Sequence, residues 1–218
     1  MVPKGIHVTP IVYGTEFSTY VRSVRMAYEE KGAEYVLKDV SVIKGEHKQP
    51  PHLARNPFGT VPAFEHDGLQ LYETTPILRY IDQVCPGAAL TPDDPRERAR
   101  MNQIISIIDY HGYGVLIGQI VVQRLFAGLL AHGTDEDVIR AAVPKAALCL
   151  AELERIQGGD TFLVGSRVSL ADLYLVPIIF YVRLTPEQSL LAPHKGLEAW
   201  WHRMSERPSV QNTAPNLR

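Results

Sequence analysis

The chain has 218 residues, enough for one large domain or two small ones with a sizeable core. Its 22 basic and 24 acidic residues nearly cancel, and no block of Lys and Arg is long enough to predict binding to nucleic acid or to an anionic membrane. No apolar run approaches the roughly 18 residues of a membrane span, so no membrane-spanning helix is predicted.

The N-terminal residues and the cysteines both favour a cytoplasmic protein. Residues 1–14 contain no continuous apolar core and no small-residue cleavage site, so no signal peptide is predicted. Only Cys85 and Cys149 are present, which excludes a disulfide framework and fits a reducing compartment. The eight histidines form neither an H-E-x-x-H pattern nor a paired Cys/His spacing, so no metal site is predicted.

The first part of the chain alternates short strands with helices. A loosely alternating, β-branched segment predicts the first strand at His7–Tyr13. Residues 14–18 break this pattern, and a helix then runs to a basic last turn and a capping glycine, Lys31-Gly32. Tyr35–Val40 predicts the second strand. With the β-β-α segment that comes later, this order is the thioredoxin-like α/β arrangement.

The stretch from Asn56 to Asp82 contains that β-β-α segment. Pro and Gly predict a turn at residues 56–59, which leads into a short strand at Val61–Phe64. The Asp-Gly pair at 67–68 predicts a hairpin turn into a second strand, Leu69–Tyr72.

Two features of this stretch predict a binding site. Pro62 lies at a strand entrance, and a cis bond before it would turn the N–H and C=O of Val61 outward to pair with an extended peptide. Glu73-Thr74 opens the next helix, with a Thr predicted at the N-cap, and a hydroxyl beside free N–H groups can bind a carboxylate. An ordinary hairpin followed by a capped helix is the alternative.

The remainder of the chain predicts an all-helical domain. Residues 85–95 are rich in Pro, Gly and Asp and predict a linker between a domain at 1–84 and a helical domain at 96–218. Glycines within the first long helical stretch predict a bend or a close approach by another group; they stand at positions 112, 114 and 118.

Helix-start signals divide the rest of this domain. Thr134 is predicted to cap a second helix that ends at Gly158-Gly159. Ser169-Leu-Ala-Asp172 resembles a capping box with Asp in place of Glu, and it opens an apolar helix that is predicted to be the buried centre. A short terminal helix at 197–207 precedes a tail that we predict to be loose.

Three motifs of this chain resemble those of one known family. The segment GEHKQPPHLARNPFG runs into the β-β-α stretch, Gly14, Ser18 and Arg22 form a G-x-x-x-S-x-x-x-R pattern, and FLVG followed by VSLAD spans residues 162–172. The chain thus resembles the cytosolic glutathione transferases, and most of all their phi-like, serine-type branch. The resemblance fades after about Trp201. It implies a thioredoxin-like N-terminal domain followed by an all-α C-terminal domain.

The resemblance implies that glutathione is a co-substrate, with no permanently bound cofactor, and that its thiol must be ionised near neutral pH. Ser18 is the first candidate for this role, because a hydroxyl at the start of the first helix can donate to sulfur where the helix dipole favours an anion. Thr19 and Tyr13 are the rival hydroxyls, and a plain N-cap is the alternative role of Ser18. The absence of a cysteine near this loop argues against the cysteine-type branch.

By position, the resemblance also implies the other glutathione contacts. His47 and Lys48 would bind the glycine carboxylate, Val61 before Pro62 would pair with the cysteinyl backbone, and Glu73 and Thr74 would hold the γ-glutamyl end. Two residues depart from the family pattern. Thr60 stands where Gln or Lys is frequent and is too short to replace a long amide, and Thr74 stands where Ser is usual.

The electrophile site is the least specified part of the sequence. Phe17, Tyr110 and Tyr113 are candidates to line it, although aromatic residues at helical spacing are more often core. The resulting hypothesis is a transferase that conjugates glutathione to small hydrophobic electrophiles and also reduces organic hydroperoxides. The alternative is a non-catalytic module that binds hydrophobic ligands or protein partners.

The resemblance further implies a homodimer. Phe58 lies on a predicted exposed turn, where a large apolar side chain is costly unless a partner covers it. Arg96, Arg98 and Arg100 give a local positive excess that would face acidic residues across a twofold axis. The alternative is that Phe58 folds back on its own domain and that the arginines are solvated.

Overall fold

The computed structural model describes residues 8–130 and 133–216. Backbone contacts divide the chain into two compact units. The first contains the described residues up to Gly87 and those from Thr213 onward, and the second is Ala88–Asn212. His7, which was predicted to start the first strand, lies outside the described residues.

The first unit has the predicted thioredoxin-like α/β fold, which is confirmed. Its elements in chain order are β1 Ile11–Tyr13, α1 Thr19–Lys31, β2 Val36–Lys38, a 3-10 turn Glu46–Lys48, α2 Pro50–Leu53, β3 Ala63–His66, β4 Leu69–Tyr72 and α3 Thr74–Val84. The sheet order is β2-β1-β3-β4. β1 and β2 are parallel and joined through α1, whereas β3 is antiparallel to both β1 and β4.

Helices α1 and α3 pack together against one face of this sheet and bury its core. Val21 and Val24 of α1 and Ile77 and Ile81 of α3 have no exposed surface. The helices are also joined by an ion pair, in which Lys31 Nζ lies 2.7 Å from Asp82 Oδ1 with both side chains almost fully buried. Breaking such a buried pair leaves an uncompensated charge, so this contact fixes α3 against the end of α1.

The C-terminal tail is anchored to the first unit at Thr213. Thr213 is 1% exposed. Arg22 Nε lies 3.5 Å from its Oγ1, and Arg25 Nη1 donates to its carbonyl oxygen at 3.3 Å. The prediction of a loose tail is therefore wrong for this residue, because two arginines of α1 hold it by contacts that span about 190 residues of sequence.

The second unit is helical, as predicted. Its elements are α4 Pro95–Ile107, two π-helical segments Ile108–Gly112 and Gly114–Phe126, a 3-10 turn Ala127–Leu130, α5 Glu136–Gln157, α6 Leu170–Val182, a 3-10 segment Pro186–Leu191, α7 Lys195–Ser205 and α8 Pro208–Asn212. No single described helix is long and apolar enough to cross a membrane; only Pro95–Gly112 and Gly114–Phe126 together meet that test, as a pair bent by 48°.

The predicted bend and close approach both occur near Gly112. The bend falls between the segments that end at Gly112 and begin at Gly114. A Cβ atom at Gly112 would lie 3.2 Å from the sulfur of Cys149 on α5, closer than most such contacts. Glycine therefore permits the close packing of α5 against the segment Ile108–Gly112.

The start of α5 differs from the prediction by one residue. Asp135, rather than Thr134, is the N-cap, and its side chain accepts hydrogen bonds from the N–H groups of Asp137 and Val138. Thr134 instead donates to the carbonyl oxygen of Gln123 at 2.9 Å. Asp and Thr are both effective caps, so the contact with Gln123 decides between them.

A buried carboxylate organises the centre of the second unit. Asp172 has no exposed surface. It accepts hydrogen bonds from Leu163 N, Ser169 N, Ser169 Oγ and Trp200 Nε1 at 2.7–2.9 Å. Burial raises the pKa of Asp172, and these four donors oppose the rise. The predicted capping box is present, and it also ties the loop before α6 to α7.

Replacing this carboxylate is expected to cost much of the unit's stability. Asp172→Asn presents an amide N–H₂ to donors that need an acceptor, so the free energy of unfolding should fall by about 3 kcal/mol or more. Urea denaturation followed by circular dichroism measures this loss. Asp160→Asn is the matched control, because Asp160 is exposed and its carboxylate accepts one hydrogen bond, from Gly165 N at 2.7 Å. Equal losses in the two variants would contradict the central role of Asp172.

Candidate active site

Ser18 occupies the N-cap of α1. Its φ and ψ of −72° and 126° are extended, and its Oγ accepts a hydrogen bond from Val21 N at 3.3 Å. A hydroxyl has two acceptor positions and one hydrogen, so accepting from Val21 leaves the O–H free to donate elsewhere. Ser18 is therefore a helix cap, and this role is compatible with donation to an anion at the positive end of the helix.

The two rival hydroxyls lie in different surroundings. Tyr13 is 5% exposed, and its O–H donates to Glu65 Oε2 at 2.7 Å. The guanidinium of Arg55 stacks over its ring at 4.2 Å. Thr19 is 4% exposed, and its Oγ1 is buried without a hydrogen-bond partner. Tyr13 has thus committed its hydrogen within the chain, and Thr19 is enclosed, whereas Ser18 is only half buried.

Val61 lies beside the loop that leads to Ser18. A Cβ atom at Gly14 would overlap the side chain of Val21 and would lie 3.2 Å from Val61 Cβ. Only glycine allows this close approach of the loop to both side chains. The peptide bond between Val61 and Pro62 is cis. The sheet pairs of β3 begin at Ala63, so Val61 lies outside the sheet's own pairing.

His47 and Lys48 lie against the turn that precedes Val61. A Cβ atom at Gly59 would lie 2.8 Å from Lys48 Cδ and 3.0 Å from His47 O, and the φ of Gly59 is +58°. Lys48 is exposed, and its Nζ donates to the carbonyl oxygen of Phe58 at 3.1 Å. The 3-10 turn that carries His47 and Lys48 therefore packs directly on the turn that precedes Val61.

His47 is shifted toward its neutral form. Burial, then the neighbouring side chains of Lys48 and His52, lower the pKa of His47 below its usual value. Its Nδ1 is buried without a hydrogen-bond partner. A neutral imidazole can still donate one hydrogen bond, so Lys48 is the charged member of this pair.

Glu73 is the N-cap of α3, and the helix begins at Thr74. The prediction of a Thr at the N-cap is therefore wrong by one or two positions. Glu73 has a φ of 70° and a ψ of 131°, a conformation that side chains rarely adopt. Non-glycine residues in such regions cost about 1–3 kcal/mol and occur mainly at functional sites. Glu73 is exposed, whereas Thr74 is 5% exposed.

The sheet register relates this helix start to Val61. Ala63 of β3 is paired with Tyr72 of β4. The residues just before Ala63 and just after Tyr72 therefore lie at the same end of this pair of strands. The glycine contacts relate Val61 to the Ser18 loop and to the His47–Lys48 turn. The structure therefore groups most of the predicted glutathione-contact positions around Val61.

The three aromatic candidates are divided between the two units. Phe17 lies in the first unit, and Tyr110 and Tyr113 lie in the second. Tyr110 is 83% exposed, which excludes the alternative that it is a core residue. Phe17 and Tyr113 are half buried. Among the described residues, no group of three or more His, Cys, Asp and Glu side chains could hold a metal ion.

Comparisons with known proteins match both units. The family model for the glutathione S-transferase N-terminal domain matches residues 12–89, and that for the C-terminal domain matches residues 116–208. The probable glutathione S-transferase GSTF1 of Oryza sativa subsp. japonica is 35% identical over 210 residues, covering 94% of this chain and 96% of that protein.

Two solved structures show the same similarity. Glutathione transferase F7 from Populus trichocarpa superposes with a TM-score of 0.86 at 32% identity, covering 94% of this chain and 98% of that one. Glutathione S-transferase I from "Mais", in complex with an atrazine glutathione conjugate, superposes with a TM-score of 0.84 at 31% identity and covers 95% and 97%.

The backbone strain at Glu73 is testable without a ligand. Glu73→Gly removes the steric cost of the positive φ, so the free energy of unfolding should stay unchanged or rise by up to about 1 kcal/mol. Gln70→Gly, at an exposed position of β4, is the matched control and should lose about 0.5–1 kcal/mol. Chemical denaturation measures both. A loss at Glu73 as large as that at Gln70 would show that the Glu73 side chain contributes more than its strain costs.

Proposed function

The chain belongs to the glutathione S-transferase family, and from this premise we propose that it conjugates glutathione to small hydrophobic electrophiles. The observation that carries the proposal is Ser18, whose Oγ caps α1 while its hydrogen remains free to donate. Relatives with the same fold include an enzyme solved with a glutathione conjugate. The relatives of this chain named GSTF1 and glutathione transferase F7 agree with its resemblance to the phi-like, serine-type branch.

Ser18 activates glutathione in this proposal by stabilising the thiolate. A free thiol of this kind has a pKa near 8.5, so it is mostly protonated at neutral pH. Lowering that pKa by two units takes roughly 2.7 kcal/mol. One hydrogen bond to the charged sulfur, added to the positive end of α1, has this magnitude in a partly dry site. Ser18 stays neutral throughout and only donates.

The rest of glutathione would bind around Val61. Its cysteinyl backbone would pair with Val61, which lies outside the sheet's own pairing. The γ-glutamyl end would meet Glu73 and Thr74 at the start of α3, where a carboxyl side chain accepts from the ammonium and the helix N-terminus favours the carboxylate. The glycine carboxylate would meet Lys48 and neutral His47.

Thr60 is expected to weaken glutathione binding rather than support it. Its Oγ1 accepts a hydrogen bond from Asn56 Nδ2 at 2.9 Å, so the side chain serves the turn. A residue with a long amide or amine at this position would reach further. We therefore expect a lower affinity than in relatives that carry Gln or Lys here.

The electrophile would be bound by Phe17, Tyr110 and Tyr113, which stays a prediction.

Assays with glutathione and a panel of aryl halides, epoxides and cumene hydroperoxide test the proposed function. Turnover of any aryl halide or epoxide supports a conjugating enzyme, and turnover of the hydroperoxide alone supports a peroxidase. Glutathione binding without turnover of any compound would favour the non-catalytic module instead.

We further propose a cytoplasmic homodimer. Phe58 is 65% exposed, and its ring makes a T-shaped contact with that of Tyr72, with ring centroids 5.9 Å apart. A twofold contact would cover this ring. The predicted pairing of the α4 arginines with acidic residues of a partner has less support, because Arg98 already donates to the carbonyl oxygens of Pro92 and Asp93. A reducing compartment agrees with Cys85 and Cys149, which are both free thiols.

The role of Ser18 is tested by Ser18→Ala. This variant should raise the pKa of enzyme-bound glutathione toward about 8.5 and lower the conjugation rate at pH 7 about 10²-fold, because one donor to the developing charge is lost. Ultraviolet titration of the bound thiolate and steady-state kinetics measure the two effects. Thr19→Val and Tyr13→Phe are the controls and should keep the parent thiol pKa. An unchanged titration in Ser18→Ala would leave Ser18 as a cap only.

The dimer is tested by sedimentation at micromolar concentration. The parent should sediment at twice the 24.4 kDa chain mass, and Phe58→Ala should shift the equilibrium toward monomer because it removes an apolar contact made twice. Leu184→Ala, another exposed apolar side chain, is the control and should sediment as the parent does. A parent protein that sediments as a monomer would overturn the proposal.

A further inference from the structure

The carbonyl oxygen of Thr60 receives hydrogen bonds from two buried side chains. His52 Nε2 lies 2.8 Å from it, and Asn56 Nδ2 lies 2.9 Å from it. His52 is 3% exposed and Asn56 has no exposed surface, whereas Thr60 itself is exposed. A carbonyl oxygen has two lone pairs, so these two donors saturate it.

The two donors differ in how much else they hold. Asn56 also accepts from Phe58 N at 3.1 Å through its side chain and from Gly59 N at 2.9 Å through its main chain, so it organises the whole turn. Within the described part of the chain, the ring of His52 makes one hydrogen bond, to Thr60, and its Nδ1 is buried without a hydrogen-bond partner. His52 therefore acts on a single peptide group, and changing it isolates that contact.

The acceptor determines the tautomer of His52. A carbonyl oxygen can only accept, so the Nε2 that bonds to Thr60 must carry the hydrogen. The neutral ring then has a bare Nδ1, which is the buried atom without a partner. The ring is thus held as a directed donor.

Holding the Thr60 carbonyl also sets the direction of the next N–H. Among the described residues only the bond between Val61 and Pro62 is cis, so the peptide between Thr60 and Val61 is trans. In a planar trans peptide, C=O and N–H point in opposite directions. The carbonyl points into the buried side of the turn, toward His52 and Asn56, so the N–H of Val61 points away from it. Val61 lies outside the sheet's pairing, so the sheet does not use that N–H.

We propose that His52 is a positioning residue for glutathione binding, which acts by orienting the Thr60–Val61 peptide so that the Val61 N–H meets the ligand backbone. The inference rests on the proposed function. His52 is on α2, directly after the turn that carries His47 and Lys48. The histidine thereby couples the segment that would bind one end of glutathione to the backbone that would bind its middle.

Two substitutions of His52 separate positioning from packing. His52→Phe keeps a ring of similar size but removes the donor, and His52→Gln restores an N–H₂ at about the distance of Nε2. The dissociation constant for glutathione should rise about 3- to 10-fold in His52→Phe, the effect of one neutral hydrogen bond, and return toward the parent value in His52→Gln. The pKa of the bound thiol should not change in either variant, because Ser18 and α1 are untouched.

Calorimetric titration with glutathione gives these constants, and thermal unfolding gives the stability of each variant. Ser169→Ala, in the second unit, is the control for lost stability and should bind glutathione as the parent does. A parent that does not bind glutathione would overturn the proposed function. A parent that binds, with an unchanged constant in His52→Phe or an equal loss in His52→Gln, would overturn the positioning role alone.

A measurement on the parent protein does not depend on how the variants fold. Nitrogen-15 NMR of the imidazole distinguishes the two neutral tautomers. We expect His52 to carry its hydrogen on Nε2 with and without glutathione, and the amide signal of Val61 to shift when glutathione binds. A hydrogen on Nδ1, or a Val61 amide that does not respond to bound glutathione, would contradict the proposal.

Discussion

The candidate site depends on one constraint: the backbone at Val61 must stay unpaired within the chain and yet be rigid. A strand entrance that is left out of the ladder would ordinarily be mobile. Here His52 and Asn56 saturate the carbonyl oxygen of Thr60, the residue before Val61. Neighbouring groups also pack so closely at Gly14 and Gly59 that a Cβ atom would meet them. The Thr60 carbonyl is therefore held on the buried side of the turn, which directs the N–H of Val61 away from it.

The start of α1 combines a structural role and a proposed chemical role in one side chain. Ser18 uses a lone pair to cap the helix and keeps its hydrogen. Tyr13 is close in sequence, but Glu65 takes its hydrogen and Arg55 covers its ring. In the proposed mechanism, the partners that Ser18 and Tyr13 already have favour Ser18, independently of the intrinsic acidity of the two hydroxyls.

The second unit solves a different problem, which is to hold a loop and two helices around a very apolar centre. Asp172 does this with four donors from three separate segments. A carboxylate is suited to the task because its two oxygens accept several hydrogen bonds at once. The same property makes the residue structural, since these four hydrogen bonds are all made within the unit.

The sequence by itself determined the features that depend on neighbours along the chain. These include the Asp-Gly hairpin turn, the glycine that ends α1, the box of Ser169 and Asp172, and the cap at Ser18, because each joins groups a few residues apart. Tertiary structure decided the rest. The cap of α5 moved to Asp135 because Thr134 bonds to Gln123, and Thr213 is held by arginines of α1. Periodicity and propensity do not encode such contacts, because a hydrogen bond between distant residues exists only once the fold has brought them together.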